Sequence, residues 1–115
     1  MPYINFNSIP HSHIWDGVHG AIAHSDQLTF AHIILEEGAI VGEHHHIHEQ
    51  WTHVLEGQLE FNLGGDIQVM TPGITAHIPS DMPHSAKALT RVKVIDCFMP
   101  VREDFKILGP WNEHN

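Results

Sequence analysis

The sequence is poor in cysteine and in basic residues, and each shortage excludes a class of protein. Cys97 is the single cysteine among 115 residues. A lone thiol makes no intrachain disulfide and excludes cysteine-based zinc sites and iron–sulfur clusters. Five Lys and Arg residues stand against fourteen Asp and Glu residues, for a formal net charge of -9. This charge would repel a phosphate backbone, so we expect no nucleic-acid partner.

Long hydrophobic runs and helical patterns are also missing. No stretch approaches the roughly 20 apolar residues of a membrane-spanning helix, and we expect no membrane partner. The segment Met1–Asn7 lacks the basic and apolar regions of a signal peptide, which predicts a cytoplasmic protein. With 42% hydrophobic residues, the chain can form one compact domain over residues 1–115 without disulfides.

The apolar runs that are present are short, rich in β-branched and aromatic residues, and separated by Gly, Pro and Asp. They predict strands at Leu28–Leu35, Glu43–Ile47, Gln50–Leu55, Gln58–Leu63, Ile67–Met70, Ile74–Ile78, His84–Ala88 and Val92–Met99. Such a pattern is typical of an all-β barrel or jelly roll, whose interior can hold a small ligand. The core is expected at about residues 28–100. The less regular ends, Pro2–Ser25 and Pro100–Asn115, are expected to be arms that close the barrel or pair two subunits.

Histidine is abundant, with thirteen residues, which points to a metal site with nitrogen and oxygen ligands. In an extended strand without a bulge, His44, His46, His48 and Gln50 would share one face. Two imidazoles at that spacing converge on one point, as a metal site requires. The alternative is a solvated histidine-rich loop. We expect His48 to line the pocket or support the ligands.

A metal site needs a further ligand from another part of the chain. His84, which follows the Pro79–Pro83 turn, is the natural candidate, and His77 competes with it. His45 is expected to point outward.

The last predicted strand carries a second group of candidate residues. Val94, Asp96 and Phe98 share a parity, so Asp96 points into the barrel if the valine faces the core. A buried carboxylate is costly unless it is paired. Two interpretations remain open: Asp96 is satisfied by Arg102 or by a histidine N–H, or it is a general acid/base beside a metal-bound substrate. In the second case Arg102 would bind a substrate carboxylate, and Phe98 would contact a sugar ring.

Two segments resemble the two motifs of the cupin superfamily. The first motif is matched by Gly38, His44, His46, Gln50 and Gly57, and the second by Gly73, Pro79 and His84. Asp81 replaces a usual glycine, where it must adopt a turn conformation, and Ala88 replaces a usual Asn. The resemblance implies a single cupin-type β-barrel, a double-stranded β-helix, and the metal ligands His44, His46, Gln50 and His84. The implied cofactor is a divalent transition metal, which is nickel, zinc, manganese, iron or cobalt.

Gln50 is informative because Glu is commoner at this position of the cupin motif. A neutral amide leaves the full +2 charge on the metal, which favours Lewis-acid catalysis over oxygenation.

Four segments are similar to the pectin degradation protein family. They are His46–Gln50, Val54–Gly57, Ile78–His84 and Asp96–Phe105. The resemblance implies an enzyme that opens the ring of 4,5-unsaturated monouronates derived from pectin or alginate. It implies Asp96, Phe98 and Arg102 as catalytic residues and a small anionic sugar as the substrate.

Other functions on the same barrel stay open at this point. One is a metal-dependent oxygenase or a lyase that acts on a small organic acid. Another is a non-catalytic cupin that binds a sugar or an effector. A homodimer is the expected assembly, because it is the commonest for soluble domains.

Overall fold

The computed structural model describes residues 3–112, which form ten strands and two short 3-10 helices. The helices are Phe6–Ser8 and Glu103–Ile107, and the strands are β1 (Ser12–Trp15), β2 (Val18–His24), β3 (Thr29–Leu35), β4 (Ile40–His44), β5 (Glu49–Glu56), β6 (Leu59–Leu63), β7 (Asp66–Met70), β8 (Thr75–Ile78), β9 (His84–Ala88) and β10 (Val92–Met99). The expected all-β class is confirmed. In this part of the chain no helix is long and apolar enough to cross a membrane.

The strands form two antiparallel sheets. The six-stranded sheet has the order β1-β2-β3-β10-β5-β8, and the four-stranded sheet has the order β4-β9-β6-β7. Apolar side chains from both sheets, such as Val54 and Val94 from one and Leu59 and Phe61 from the other, form a single buried core. On β10 the alternation is regular, since every second side chain from Val92 to Phe98 is buried. This burial confirms that Asp96 points inward.

The predicted strand at Glu43–Ile47 is wrong in its position. The chain forms β4 earlier, at Ile40–His44, and residues 45–48 lie outside the strands. The physical reason is that the turn at residues 79–82 takes the carbonyl groups that a strand partner would need. The Asp81 N–H donates to the carbonyl of His46 at 2.7 Å, and the Ser80 hydroxyl donates to the carbonyl of Ile47 at 2.6 Å. His44, His46, His48 and Gln50 therefore do not share one strand face.

The N-terminal segment is more regular than the sequence predicts. β2 pairs with β3 over its full length, from Val18 opposite Leu35 to His24 opposite Thr29, and β1 pairs with β2. The C-terminal segment runs back against the start of β1, where the Trp111 N–H donates to the carbonyl of His11 at 2.9 Å. The two ends therefore extend the six-stranded sheet on the side where β3 would otherwise be its edge.

Candidate metal centre

Three imidazole rings meet at one end of the barrel. His44 ends β4, His84 begins β9, and the two residues are cross-strand partners. His46 reaches them from the segment that follows β4. One ring nitrogen from each histidine lies within 4.8 Å of the others, which is close enough for all three to bind one ion. The structure thus brings together the three histidines named from the sequence.

Main-chain carbonyl groups orient all three rings through Nδ1. The contacts are His44 Nδ1 with the oxygen of Gly42 at 2.8 Å, His46 Nδ1 with that of His48 at 2.9 Å, and His84 Nδ1 with that of Met82 at 2.8 Å. A carbonyl oxygen only accepts, so each Nδ1 carries the hydrogen and each Nε2 keeps its lone pair for a ligand. His84 Nε2 is buried and finds no hydrogen-bond partner among residues 3–112.

Gln50 adds an amide oxygen to this cluster. It is buried at the start of β5, and its Oε1 atom lies 3.0 Å from His46 Nε2. With His46 protonated on Nδ1 alone, these two atoms are both acceptors, and a cation bound between them would stabilise the pair. Ligand atoms of one transition-metal ion lie about 3 to 4 Å apart. The donor set of three imidazoles and one amide oxygen therefore fits a divalent transition metal.

Burial keeps two of these ligands in the neutral form that binds a metal. It lowers the pKa of His84 from its ordinary 6.5 to about 4, and the neighbouring rings of His44 and His46 and the charge of Arg102 act in the same direction. Burial also lowers the pKa of His46, again with help from Arg102. At neutral pH protons therefore compete weakly for these two rings.

The turn before β9 holds the segment that carries His46. Asp81 has a φ of 62°, the left-handed conformation expected for the residue that replaces the motif glycine. Its carboxylate lies 3.5 Å from Nδ1 of His45, whose side chain is exposed as predicted.

The other candidate histidines lie outside the cluster. His77 bonds to the Glu49 carboxylate at 2.6 Å, and its ring packs against Trp51 with centroids 4.4 Å apart. The main-chain carbonyl of His48 orients His46, and the His48 side chain is not among the residues that line the cavity beside the cluster.

A cavity of about 420 Å³ opens beside the cluster. His44, Gln50 and His84 line it together with Asp96, Phe98 and Arg102. Burial raises the pKa of Asp96 from its ordinary 3.8 to about 6, although a hydrogen bond from Thr52 and the charge of Arg102 oppose the shift. Its Oδ1 atom is buried with no hydrogen-bond partner in the described part of the chain. The cavity therefore holds a carboxyl group that can change its protonation near neutral pH.

Arg102 is held in place by its neighbours in the C-terminal segment. Its Nε and Nη2 atoms donate to the Asp104 carboxylate at 3.1 and 2.7 Å. Its guanidinium carbon lies 4.0 Å from the ring centre of Phe105 and 4.9 Å from that of Phe98. The ion pair that one interpretation assigned to Asp96 and Arg102 is thus made by Asp104.

Sequence reasoning missed Thr52, Asp104 and Phe105, all of which line the cavity. Asp104 and Phe105 follow Arg102 closely in the sequence, and the charge of the first and the aromatic ring of the second could have marked them as site residues. Thr52 shares the parity of Gln50 on β5, which could have marked it as inward-facing.

Comparisons with known proteins agree with this architecture. Residues 31–98 match the model of the cupin domain. An RmlC-like cupin from Shewanella frigidimarina is 30% identical, with a TM-score of 0.85 over 90% of this chain and 94% of its own. KdgF from Halomonas sp. is 28% identical, with a TM-score of 0.85 over 91% of this chain and 98% of its own.

More distant structures share the fold alone. A predicted oxalate decarboxylase from Thermotoga maritima is 19% identical, with a TM-score of 0.77 over 86% of this chain and 99% of its own. None of the curated proteins matches the sequence. The family model covers more than half of the chain, and the structure has the two-sheet architecture of the similar cupins. This chain therefore belongs to the cupin domain family.

Proposed function

We propose that the protein is a metal-dependent enzyme that opens the ring of 4,5-unsaturated monouronates derived from pectin or alginate. One observation carries the proposal. Asp96, Phe98 and Arg102, the residues that the resemblance to the pectin degradation protein family implies as catalytic, line the same cavity as the metal-ligand cluster. The 28% identity with KdgF over most of both chains supports a shared architecture.

The proposed reaction is an isomerisation, so atoms and electrons balance without a co-reactant. The hydroxyl group on the anomeric carbon loses its proton as the bond from that carbon to the ring oxygen breaks. This gives an aldehyde and an enolate. Carbon 4 then gains the proton as the enolate becomes a ketone, and the product is a linear keto acid. The net change is one proton moved from oxygen to carbon.

Asp96 is the group to which we assign this proton. Its raised pKa, about 6, leaves the carboxylate as the major form at neutral pH while keeping the protonated form accessible. One carboxyl group can therefore accept the proton from the anomeric hydroxyl and return it to carbon 4. The unpartnered Oδ1 atom is the part of Asp96 that faces no competing donor among residues 3–112.

The other residues bind and orient the substrate. Asp104 uses two of the five N–H hydrogens of Arg102, and we assign the remaining ones to the substrate carboxylate. Phe98 packs beside the guanidinium and limits where the sugar ring can lie. A metal held by His44, Gln50 and His84 together with His46 would supply Lewis-acid polarisation of substrate oxygen atoms.

The test is the loss of absorbance of the conjugated enol band of an unsaturated monouronate. Wild type is compared with Asp96→Ala and Gln50→Ala, and Asp26→Ala is the control because Asp26 is exposed and does not line the cavity. We expect a fall in rate of about 100-fold or more for Asp96→Ala, as for loss of a general acid/base. Unchanged rates in both site variants would refute the proposal. Saturable uronate binding without turnover would instead indicate an effector-binding protein.

A further inference from the structure

The hydroxyl group of Thr52 lies between the amide of Gln50, a candidate metal ligand, and the carboxyl group of Asp96, the proposed acid/base. Thr52 is 2% exposed and follows Gln50 by two residues on β5, so both side chains leave the strand on the same face. Its cross-strand neighbour on β10 is Asp96. An amide, a hydroxyl and a carboxyl group therefore meet in the buried wall of the cavity.

The hydrogen bonds among these three groups have a fixed direction. The Gln50 amide nitrogen Nε2 donates to Thr52 Oγ1 at 2.9 Å. The hydroxyl group has a single hydrogen, and the carboxyl group of its cross-strand neighbour Asp96 is the acceptor that remains for it. The Gln50 oxygen then faces His46 Nε2 at 3.0 Å, on the side of the metal ligands.

The reversed orientation of the amide would break this arrangement. It would place N–H donors, which cannot bind a cation, toward the imidazole cluster. The amide oxygen would then compete with Asp96 for the one hydroxyl hydrogen of Thr52, and a buried acceptor would lose its donor. An unsatisfied buried acceptor destabilises the arrangement that contains it. The hydroxyl of Thr52 therefore discriminates between the two orientations.

We propose that Thr52 is a positioning residue: its hydroxyl group turns the amide oxygen of Gln50 toward the metal and ties that amide to the carboxyl group of Asp96. The effect on metal binding is independent of the reaction. The effect on turnover rests on the proposed function, because it requires that Asp96 and the metal act on one substrate. Thr52 exerts both effects through its neighbours.

The experiment compares Thr52→Val, which keeps the shape, with Thr52→Ser, which keeps the hydroxyl. Thr75→Val is the matched control, because the Thr75 hydroxyl bonds to His53 Nδ1 at 2.7 Å, away from the cavity lining. Cobalt(II) affinity is measured by competition with a chromophoric chelator, and the visible spectrum of the cobalt protein reports on its ligands. The values of kcat and KM are measured with an unsaturated monouronate.

We expect Thr52→Val to weaken cobalt binding about tenfold, the lower end of the effect of residues that orient metal ligands, and to alter the spectrum. It should also lower kcat more than it raises KM. Thr52→Ser should restore the wild-type affinity and spectrum, and Thr75→Val should match wild type.

A folded Thr52→Val protein with wild-type cobalt affinity and spectrum would overturn the proposal, as would a serine variant as defective as the valine variant. If the valine variant does not fold, Thr52→Ala makes the same comparison with no methyl group placed against the carboxyl group. A wild-type protein that binds cobalt but does not turn over the uronate would refute the proposed function alone, and cobalt binding would still decide the role of Thr52.

Discussion

The metal-free Asp96→Asn protein should gain stability relative to wild type as the pH rises from acidic to alkaline. Asp96 is 7% exposed, and burial raises its pKa to about 6 from an ordinary 3.8. The unfolded chain therefore loses its proton at lower pH than the folded chain, and ionisation destabilises the folded state as pH rises from about 4 through about 6. Two pH units correspond to about 3 kcal/mol at 1.36 kcal/mol per unit. Asn does not ionise, so any effect of the substitution on packing changes the free energy of unfolding by the same amount at every pH.

The assay is urea unfolding of both proteins at several pH values, with a chelator present because a bound cation would favour the carboxylate. Between pH 4.5 and pH 8 we expect the difference in unfolding free energy to move by about 2 kcal/mol in favour of Asp96→Asn, since part of the full shift lies below pH 4.5. Titration of the histidines is common to both proteins and cancels. Asp26→Asn, at an exposed position, should track wild type at every pH. A difference between Asp96→Asn and wild type that is constant over this range would refute the reasoning.

Two further predictions concern the ligands and the turn that holds them. The lowered pKa of His84, about 4, means that the unfolded chain takes up a proton below pH 6.5 and the folded chain does not. Between pH 7 and pH 4, the unfolding free energy of the metal-free wild type should therefore fall by about 3 kcal/mol more than that of His84→Gln. Urea unfolding measures both values, and parallel pH curves would contradict the prediction. Asp81→Val should lower the unfolding free energy by about 1–2 kcal/mol, because a β-branched residue is strained at a φ of 62°. Asp81→Gly should not show that loss in thermal unfolding, and equal losses in the two variants would mean that the left-handed conformation is not the cause.

The regular strands were predictable because their signal is local. On β10 the alternation of apolar side chains is enough to place Val94, Asp96 and Phe98 on one face, and the structure has them there. The histidine cluster was predictable for another reason: the spacing of the cupin motifs carries information about the fold that a single strand does not contain. His44, His46 and His84 accordingly meet, although the strand expected at Glu43–Ile47 is misplaced.

Features that depend on distant segments were not predictable. The path of the chain between His44 and Gln50 is set by hydrogen bonds from Ser80 and Asp81, which no local pattern encodes. The contact of Thr52 with Asp96 depends on the register of two strands far apart in sequence. β1 was missed because it is an edge strand with half-exposed side chains, which give a weak alternation. β2 was missed because its first four residues are all buried, so they do not alternate, and its regularity comes from pairing with β3.

The hydrogen bonds that orient the imidazoles are made to the main chain, which affects how the site can change through substitution. Every Nδ1 hydrogen of the three rings is bonded to a main-chain oxygen, so no single substitution at Gly42, His48 or Met82 removes the acceptor itself. The orientation of these ligands is inherited with the course of the backbone. The groups on the cavity wall, such as Asp96 and Thr52, are side chains and can be exchanged one at a time. The same arrangement of histidines can thus persist while the side chains around it diverge.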